Sequence, residues 1–409
     1  MKLPESLGMN RVVLALSAAR LGDAIGNSLL FIVIPLYVAE LPAPWFHVPE
    51  SVRVGILISL YGIVNSVLQP VMGSLSDRFQ RRKIFILAGL FVMALSTFLF
   101  IFASRFVDLL LLRAIQGVGV AITIPASMAL MTSATHKSSR GGSMGIYSTM
   151  RIVGFATGPL IGGFLHVRYG FDAAFLAGTG FILLGMILVQ FWVHDVATEN
   201  GVRAGRPRTT FRLFGRGVLS GGVISLGAAT FVMATMLTMM STLEVQFNER
   251  LDQTAFAFSV AFSALMVSRL VFQIPLGQLS DRVGRKPLII FGLLLMAPST
   301  ALLGLVASTL QLTGLRLVQG LASAGIAAPS FALAADLSPA GNEGLQMSVI
   351  TMGFGLGIAV GPLIAGILAL VSFQLPFYIG GVLSLVAAWI VHHNVPESIH
   401  TNKEPLVQR

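Results

Sequence analysis

A short basic string occurs twice in the chain. Gly73-Ser-Leu-Ser-Asp77-Arg78-Phe-Gln-Arg81-Arg82-Lys83 returns 204 residues later as Gly277-Gln-Leu-Ser-Asp281-Arg282-Val-Gly-Arg285-Lys286, an interval of about half of the 409 residues. Each copy joins two apolar runs long enough to cross a bilayer, so each sits at the tip of an antiparallel helical hairpin at a membrane surface. The leading glycine lets a neighbouring helix approach closely. The aspartate, at a helix end, pairs with arginine or faces another helix's N-terminus, and the Arg/Lys cluster holds the turn at the cytoplasmic face. Topology alone asks only for positive charge. The same order kept twice asks for more, and it supplies Gly73, Asp77, Arg78, Arg82, Gly277, Asp281, Arg282 and Arg285 as candidate gating residues.

Composition agrees with a membrane setting. Hydrophobic residues make up 55% and charged residues 11%, against roughly a quarter charged in soluble domains. The net charge of +10 is not a nucleic-acid groove. Of 27 Lys and Arg, 18 fall in segments read as cytoplasmic, 4 in external loops and 5 inside helices, which is the positive-inside distribution. Cysteine is absent, so no disulfide, thiol chemistry or Cys-ligated metal is expected.

Twelve spans are expected, at 12–40, 54–76, 84–104, 107–134, 143–165, 173–194, 218–245, 254–276, 288–307, 309–337, 345–371 and 376–394. The first is read as a retained helix, since it lacks a small-residue cleavage site. The expected organisation is an N-terminal six-helix bundle (1–194), a cytoplasmic linker (195–217) rich in arginine, a second six-helix bundle (218–394) and a cytoplasmic tail (395–409). An even count puts both termini inside an inner (plasma) membrane. The register between halves persists well away from the loops. Arg113-x-x-Gln116-Gly117 recurs as Arg316-x-x-Gln319-Gly320, and Gly158-Pro159-Leu-Ile-Gly-Gly163 as Gly361-Pro362-Leu-Ile-Ala-Gly366. The fold class expected is therefore all-α, two pseudo-symmetric six-helix bundles with a site between them at the membrane midplane.

These strings resemble those of the major facilitator superfamily over nearly the whole chain. The duplicated loop is similar to that superfamily's signature, although the first copy has Gln80 where the pattern usually has Gly. Arg113-x-x-Gln116-Gly117 resembles a second motif, and Gly154-x-x-x-Gly158-Pro159-x-x-Gly162-Gly163 resembles the one that marks its drug:proton antiporters. Gly22-Asp23-Ala-Ile-Gly26 followed by Pro35 is similar to the first helix of tetracycline-type efflux pumps. The resemblance implies proton-coupled efflux of small amphipathic or hydrophobic molecules by alternating access. A specific metabolite carrier of the same fold, for a sugar, siderophore or lipid, is the alternative. It further implies a monomer in the bilayer whose partners are a small-molecule substrate and protons.

Several residues are candidates for that work. Asp23 lies about 18 Å along its helix at ~1.5 Å per residue. A carboxylate at such depth pairs, faces water or takes a proton. Arg20 stands three residues back on the same face, so Asp23 is read either as the coupling site or as half of a permanent pair that fixes packing. Arg113, its repeat mate Arg316, and Arg151 and Arg269 also fall inside spans, where they line a cavity or form structural pairs; for Arg113 the pairing candidate is Asp108. Asn27, Gln69 and Gln273 supply further polar contacts, as does Asn65, which aligns with Arg269. The Gly154/Gly158/Gly162 and Gly353/Gly357/Gly361 stripes, with Pro159 and Pro362, give faces on which a neighbouring helix packs closely, either sealing a cavity during a cycle or packing statically. Met233, Met236, Met239 and Met240, with Phe256, Phe258 and Phe262, are open to a cavity-lining or a packing role. Asp108, Glu244 and Asp336 lie near helix ends, where capping or solvated roles are expected.

No G-x-x-x-x-G-K-[ST], H-E-x-x-H or G-x-S-x-G string is present, so ATP-driven and hydrolytic readings have no support. His392-His393 is read as interfacial. No cofactor, metal or enzymatic activity is expected.

Overall fold

The computed structural model describes residues 10–43, 48–79, 81–135, 140–193, 221–337 and 343–396. The linker 195–217 and nearly all of the tail 395–409 lie outside these. The first half contains α1 (Arg11–Glu40), α2 (Glu50–Phe79), α3 (Arg82–Leu99), α4 (Phe106–Ser133), α5 (Arg140–Tyr169) and α6 (Phe171–Trp192). The second contains α7 (Gly221–Thr238), α8 (Glu244–Leu251), α9 (Ala255–Val283), α10 (Arg285–Ala301), α11 (Thr309–Asp336), α12 (Glu343–Leu368) and α13 (Leu375–Asn394). Twelve membrane-length spans result among the described residues, because α7 and α8 are one span interrupted by a 3-10 segment, Met239–Leu243. The apolar run 218–245 predicts a continuous helix there, and no proline or glycine marks the break.

Helix ends are set locally. Asn10 caps α1 by accepting from Val13 N–H at 2.8 Å, and Thr254 and Ser308 do the same for α9 and α11. Asp108 accepts from the backbone N–H of Arg105 at 2.9 Å and caps α4. The duplicated turns differ by one residue. Gly284, at φ 113°, turns the chain alone between Val283 and Arg285, a conformation open to glycine. In the first copy two positions separate the helix ends Phe79 and Arg82, and the repeat interval falls from 204 to 203 beyond the loops.

Within each half the first span is central. α1 and the α7–α8 span are buried along most of their length, whereas α3, α6, α10 and α13 present an outer apolar face that includes Phe91, Leu184, Phe191, Leu294, Val382 and Trp389. Small residues bring the central helices together, as expected where lipid removes the hydrophobic drive between helices. A Cβ at Gly154 would stand 2.5 Å from Ala24 Cβ, and one at Gly158 2.7 Å from Ile25 O, so the α5 stripe lies on α1. The α12 stripe lies on α7 in the same way: Gly357 meets Ala234 and Gly361 meets Thr235. Both stripes therefore work inside their own halves. Their contacts also give the register of α1 on α7. Leu21, Ala24, Ile25 and Ser28 take the places of Phe231, Ala234, Thr235 and Thr238, an interval of 210. The shorter connection after α8, 252–254 against 41–49, absorbs most of the difference.

The seam between halves is a separate set of contacts. α2 meets α12 and α5 meets α9. Here Gly55 abuts Pro362 and Leu363, Gly62 abuts Ala359, Gly366 abuts Ser51, and Gly163 abuts Ser259, while Ser51 donates to Gly366 O at 3.2 Å. All of these lie in the part of the seam away from the duplicated loops. Toward the loops, Gly145 and Gly277 have no neighbour that an added Cβ would touch, and Val67, Val71 and Met352 are exposed. The molecule is closed at one end and parted at the other.

Candidate functional site

Asp23 stands near the middle of α1, which is central to its half, and is 2% exposed. Its carboxylate accepts from Arg20 at 2.5 Å and from Asn27 Nδ2 at 2.7 Å. Arg20 in turn lies 5.6 Å from the centre of the Tyr147 ring on α5. In the register fixed by the glycine contacts, Asp23 corresponds to Met233, Arg20 to Thr230 and Asn27 to Leu237. The acid cluster belongs to the first half only.

The two membrane-embedded Arg-x-x-Gln strings, by contrast, make the same pair of side-chain hydrogen bonds. Arg113 donates to Gln116 at 2.7 Å and Gln116 to Thr97 at 3.0 Å. Arg316 donates to Gln319 at 2.8 Å and Gln319 to Thr300 at 2.9 Å. Each guanidinium lies over a ring from the neighbouring helix, Arg113 over Tyr61 at 5.2 Å and Arg316 over Phe262 at 5.3 Å. Asp108 is not Arg113's partner, being held at the α4 N-terminus. Thr97 and Thr300 stand on α3 and α10, and no spacing in the sequence connects them to the arginines.

Arginines and aromatic rings together form a chain across the seam. Arg316 covers Phe262; Phe262 of α9 stacks on Phe31 of α1 at 6.0 Å; Phe31 meets Phe155 of α5 at 5.9 Å. Arg151 lies between Phe155 and Phe354 of α12, 5.6 and 5.5 Å from their centres, and Arg269 of α9 approaches the same Phe354 at 6.0 Å. Neither Arg151 nor Arg269 has an ion-pair partner among the described residues. Asn65, Arg269 and Gln273 each keep a buried side-chain polar atom without a partner, and Gln69 is half-buried on α2.

The other candidates fall elsewhere. Met233, Met236, Met239, Met240 and Phe258 are buried in the packed core of the second half, and Phe256 points outward. Glu244, expected to be solvated or capping, is instead fully buried at the start of α8. Both its oxygens lack a hydrogen-bond partner, with Asn248 the polar neighbour one turn on. Among the loop residues, Arg82 donates to Ala129 O at 2.8 Å, and Arg285 pairs with Asp336 and, at 3.5 Å, with Asp281. Arg78 and Arg282 are exposed, and the Asp77 side chain lies outside the described set. These contacts of Arg82 and Arg285 lie within their own halves. No cluster of His, Asp and Glu suited to a metal occurs among the described residues.

A family model described as Major Facilitator Superfamily matches residues 16–269 and 226–408. The chain belongs to the Major Facilitator Superfamily. It is 28% identical over 305 residues to the multidrug resistance protein MdtG of Proteus mirabilis, covering 74% of this chain and 75% of that protein. It is 26% identical over 350 residues to the human synaptic vesicular amine transporter, covering 83% of this chain and 66% of that one. Among solved structures, a D-xylose–proton symporter superposes with TM-score 0.76 at 18% identity over 95% of this chain and 98% of that one. A bacterial homologue of the lysosomal transporter Spinster, inward-facing and occupied, gives 0.76 at 16% over 93% and 95%. This member of the superfamily is a multi-pass membrane transporter, not an enzyme.

Proposed function

We propose that the protein exports small amphipathic or hydrophobic molecules in exchange for protons by alternating access. The observation that carries this reading is the one-sided seam: α2/α12 and α5/α9 interlock through Gly55, Gly62, Gly163 and Gly366 at one end and separate at the other. Two halves that touch at only one end form one of the two states such a cycle needs. The basic loops favour a cytoplasmic position for the parted end by the positive-inside rule, and this reading puts both termini on that side of the inner membrane. This is the state in which an exporter loads. The loops, whose named contacts lie within their own halves, would engage across them when that end shuts. Relatives named as multidrug proteins, MdtG and the Streptococcus pneumoniae efflux pump PmrA, favour export of varied molecules. Asp23 is the proton site in this reading: it is buried, central and held by two polar side chains able to reorganise on proton uptake.

A second reading, a carrier for a specific polar or anionic metabolite, draws on the excess of Arg20, Arg113, Arg151, Arg269 and Arg316 over the buried acids Asp23 and Glu244.

The test is flux of a fluorescent amphipathic dye into inverted vesicles holding the purified protein, with and without an imposed pH gradient. Gradient-dependent uptake that is lost in Asp23→Asn, with dye binding retained, is the expected result. Uptake indifferent to the gradient overturns proton coupling, and full driven uptake by Asp23→Asn removes Asp23 from the role.

A further inference from the structure

We propose that Arg151, Arg269 and Phe354 form a binding site for the carboxylate of an amphipathic organic anion, deepening the transport reading on which it rests. Arg151 belongs to α5 in the first half and Arg269 to α9 in the second, yet their guanidinium carbons lie 5.5 and 6.0 Å from the centre of one ring, Phe354 of α12. The two charges can be no farther apart than the sum of those distances, and the charge of Arg269 acts on Arg151. Both side chains are only half-buried, which places them on the space between the halves rather than in a packed core. Neither has an ion-pair or hydrogen-bond partner among the described residues, and Arg269 Nε is buried with its donor unused. Asp23, the central carboxylate of α1, is already engaged by Arg20 and Asn27.

Two like charges facing one space at this depth repel, and the water of that space screens them only in part. The flanking rings of Phe155 and Phe354 offset part of this through their electron-rich faces, but they neither neutralise charge nor accept the forked N–H groups. A carboxylate does both, since its two oxygens match the guanidinium fork. The same rings offer an apolar bed for the rest of the molecule. The ligand class is therefore an apolar or aromatic body bearing one carboxylate. Because the arginines come from opposite halves, such a ligand also links the halves on binding.

The experiment compares three molecules of one shape, 1-naphthoate, 1-naphthylmethanol and 1-naphthylmethylamine, binding to the purified full-length protein by titration calorimetry. The anion is expected to bind at least tenfold tighter than the alcohol, and the amine weakest. Arg151→Gln and Arg269→Gln each erase the preference for the anion, weakening its binding at least tenfold more than that of the alcohol. Arg151→Lys and Arg269→Lys, which keep the charge and lose the fork, retain part of it and serve as folded controls should the glutamine variants unfold. Equal binding of the three molecules, or an anion preference that survives the arginine substitutions, overturns the site. The outcome is separable from that of the transport reading. Anion-selective binding with no dye flux in vesicles would leave the site standing and the exporter assignment lost, whereas pH-driven flux without anion preference would do the reverse.

Discussion

At the scale of single residues, the twin Arg–Gln–Thr units show what holds charge inside this molecule. Arg113 and Arg316 are 1% and 0% exposed and have no carboxylate partner among the described residues. Each is instead held by a glutamine oxygen, and the glutamine is oriented by a threonine hydroxyl from the adjacent helix. Thr300→Val keeps the shape and removes the acceptor, leaving Gln319 Nε2 buried and unsatisfied at a cost of about 1–3 kcal/mol. The purified variant should melt several degrees lower in a thermal-shift assay. Thr97→Val should lower it by a similar step, and the two should add, since the units lie in different halves and share no partner. An unchanged melting curve for both would mean that the glutamines do not depend on these hydroxyls. The arginine and glutamine were legible in the sequence because three-residue spacing puts them on one helix face. The threonines were not, because a contact between helices leaves no local spacing to read.

At the scale of elements, glycine does two separate jobs that look alike in sequence. The four-residue stripes on α5 and α12 pin each to the first span of its own half, while Gly55, Gly62, Gly163 and Gly366, scattered in sequence, make the seam. Gly55→Val tests the second job. Its Cβ would fall 2.7 Å from Pro362 O and 3.0 Å from Leu363 Cα, both backbone atoms that cannot rotate away. Overpacking of this kind costs about 1–3 kcal/mol, and about 1.4 kcal/mol is tenfold in population. The chain has no native cysteine, so Ser51→Cys, buried in the seam at 5% exposure, is a unique reporter. Its labelling by a thiol reagent should quicken about tenfold when Gly55→Val is added; an unchanged rate would show that the seam does not open there. Loop and stripe motifs made the repeat readable at intervals of 203 and 204. The 210-residue register of α1 on α7 stayed hidden because these spans share no motif and a short connection after α8 takes up the shift. The α7–α8 break was hidden for a similar reason: Met239–Leu243 contains ordinary helix-compatible residues, and its tighter winding follows from tertiary packing.

At the scale of the whole molecule, pseudo-symmetry and its failures divide the labour. The matched parts, the arginine–glutamine units and the glycine stripes, stiffen each half so that it can move as a body. The unmatched parts, Asp23 opposite Met233 and the Arg151–Phe354–Arg269 contact across the seam, are where coupling and ligand chemistry can reside without cancelling between halves. Movement of rigid halves requires that the shut end open, and the seam offers a clean way to forbid it. Ser66 of α2 and Gly355 of α12 face each other where the closed region gives out. A Cβ on Gly355 would lie 3.4 Å from Ser66 Oγ and meet nothing else within 4 Å. Ser66 Cβ itself is more than 4 Å from that position, toward the outer end of the about 3.5–4.5 Å that separates the Cβ atoms of a disulfide, so the pair Ser66→Cys and Gly355→Cys should oxidise with a small adjustment of α12. The bond would tie one half to the other and hold the present state. Driven transport should then vanish on oxidation and return on reduction, while each single cysteine variant transports in both conditions. Ligand binding from the parted end should survive in the oxidised protein, since that entrance is untouched. Sustained transport with the bond shown intact by mass spectrometry would mean that the halves need not separate along α2 and α12.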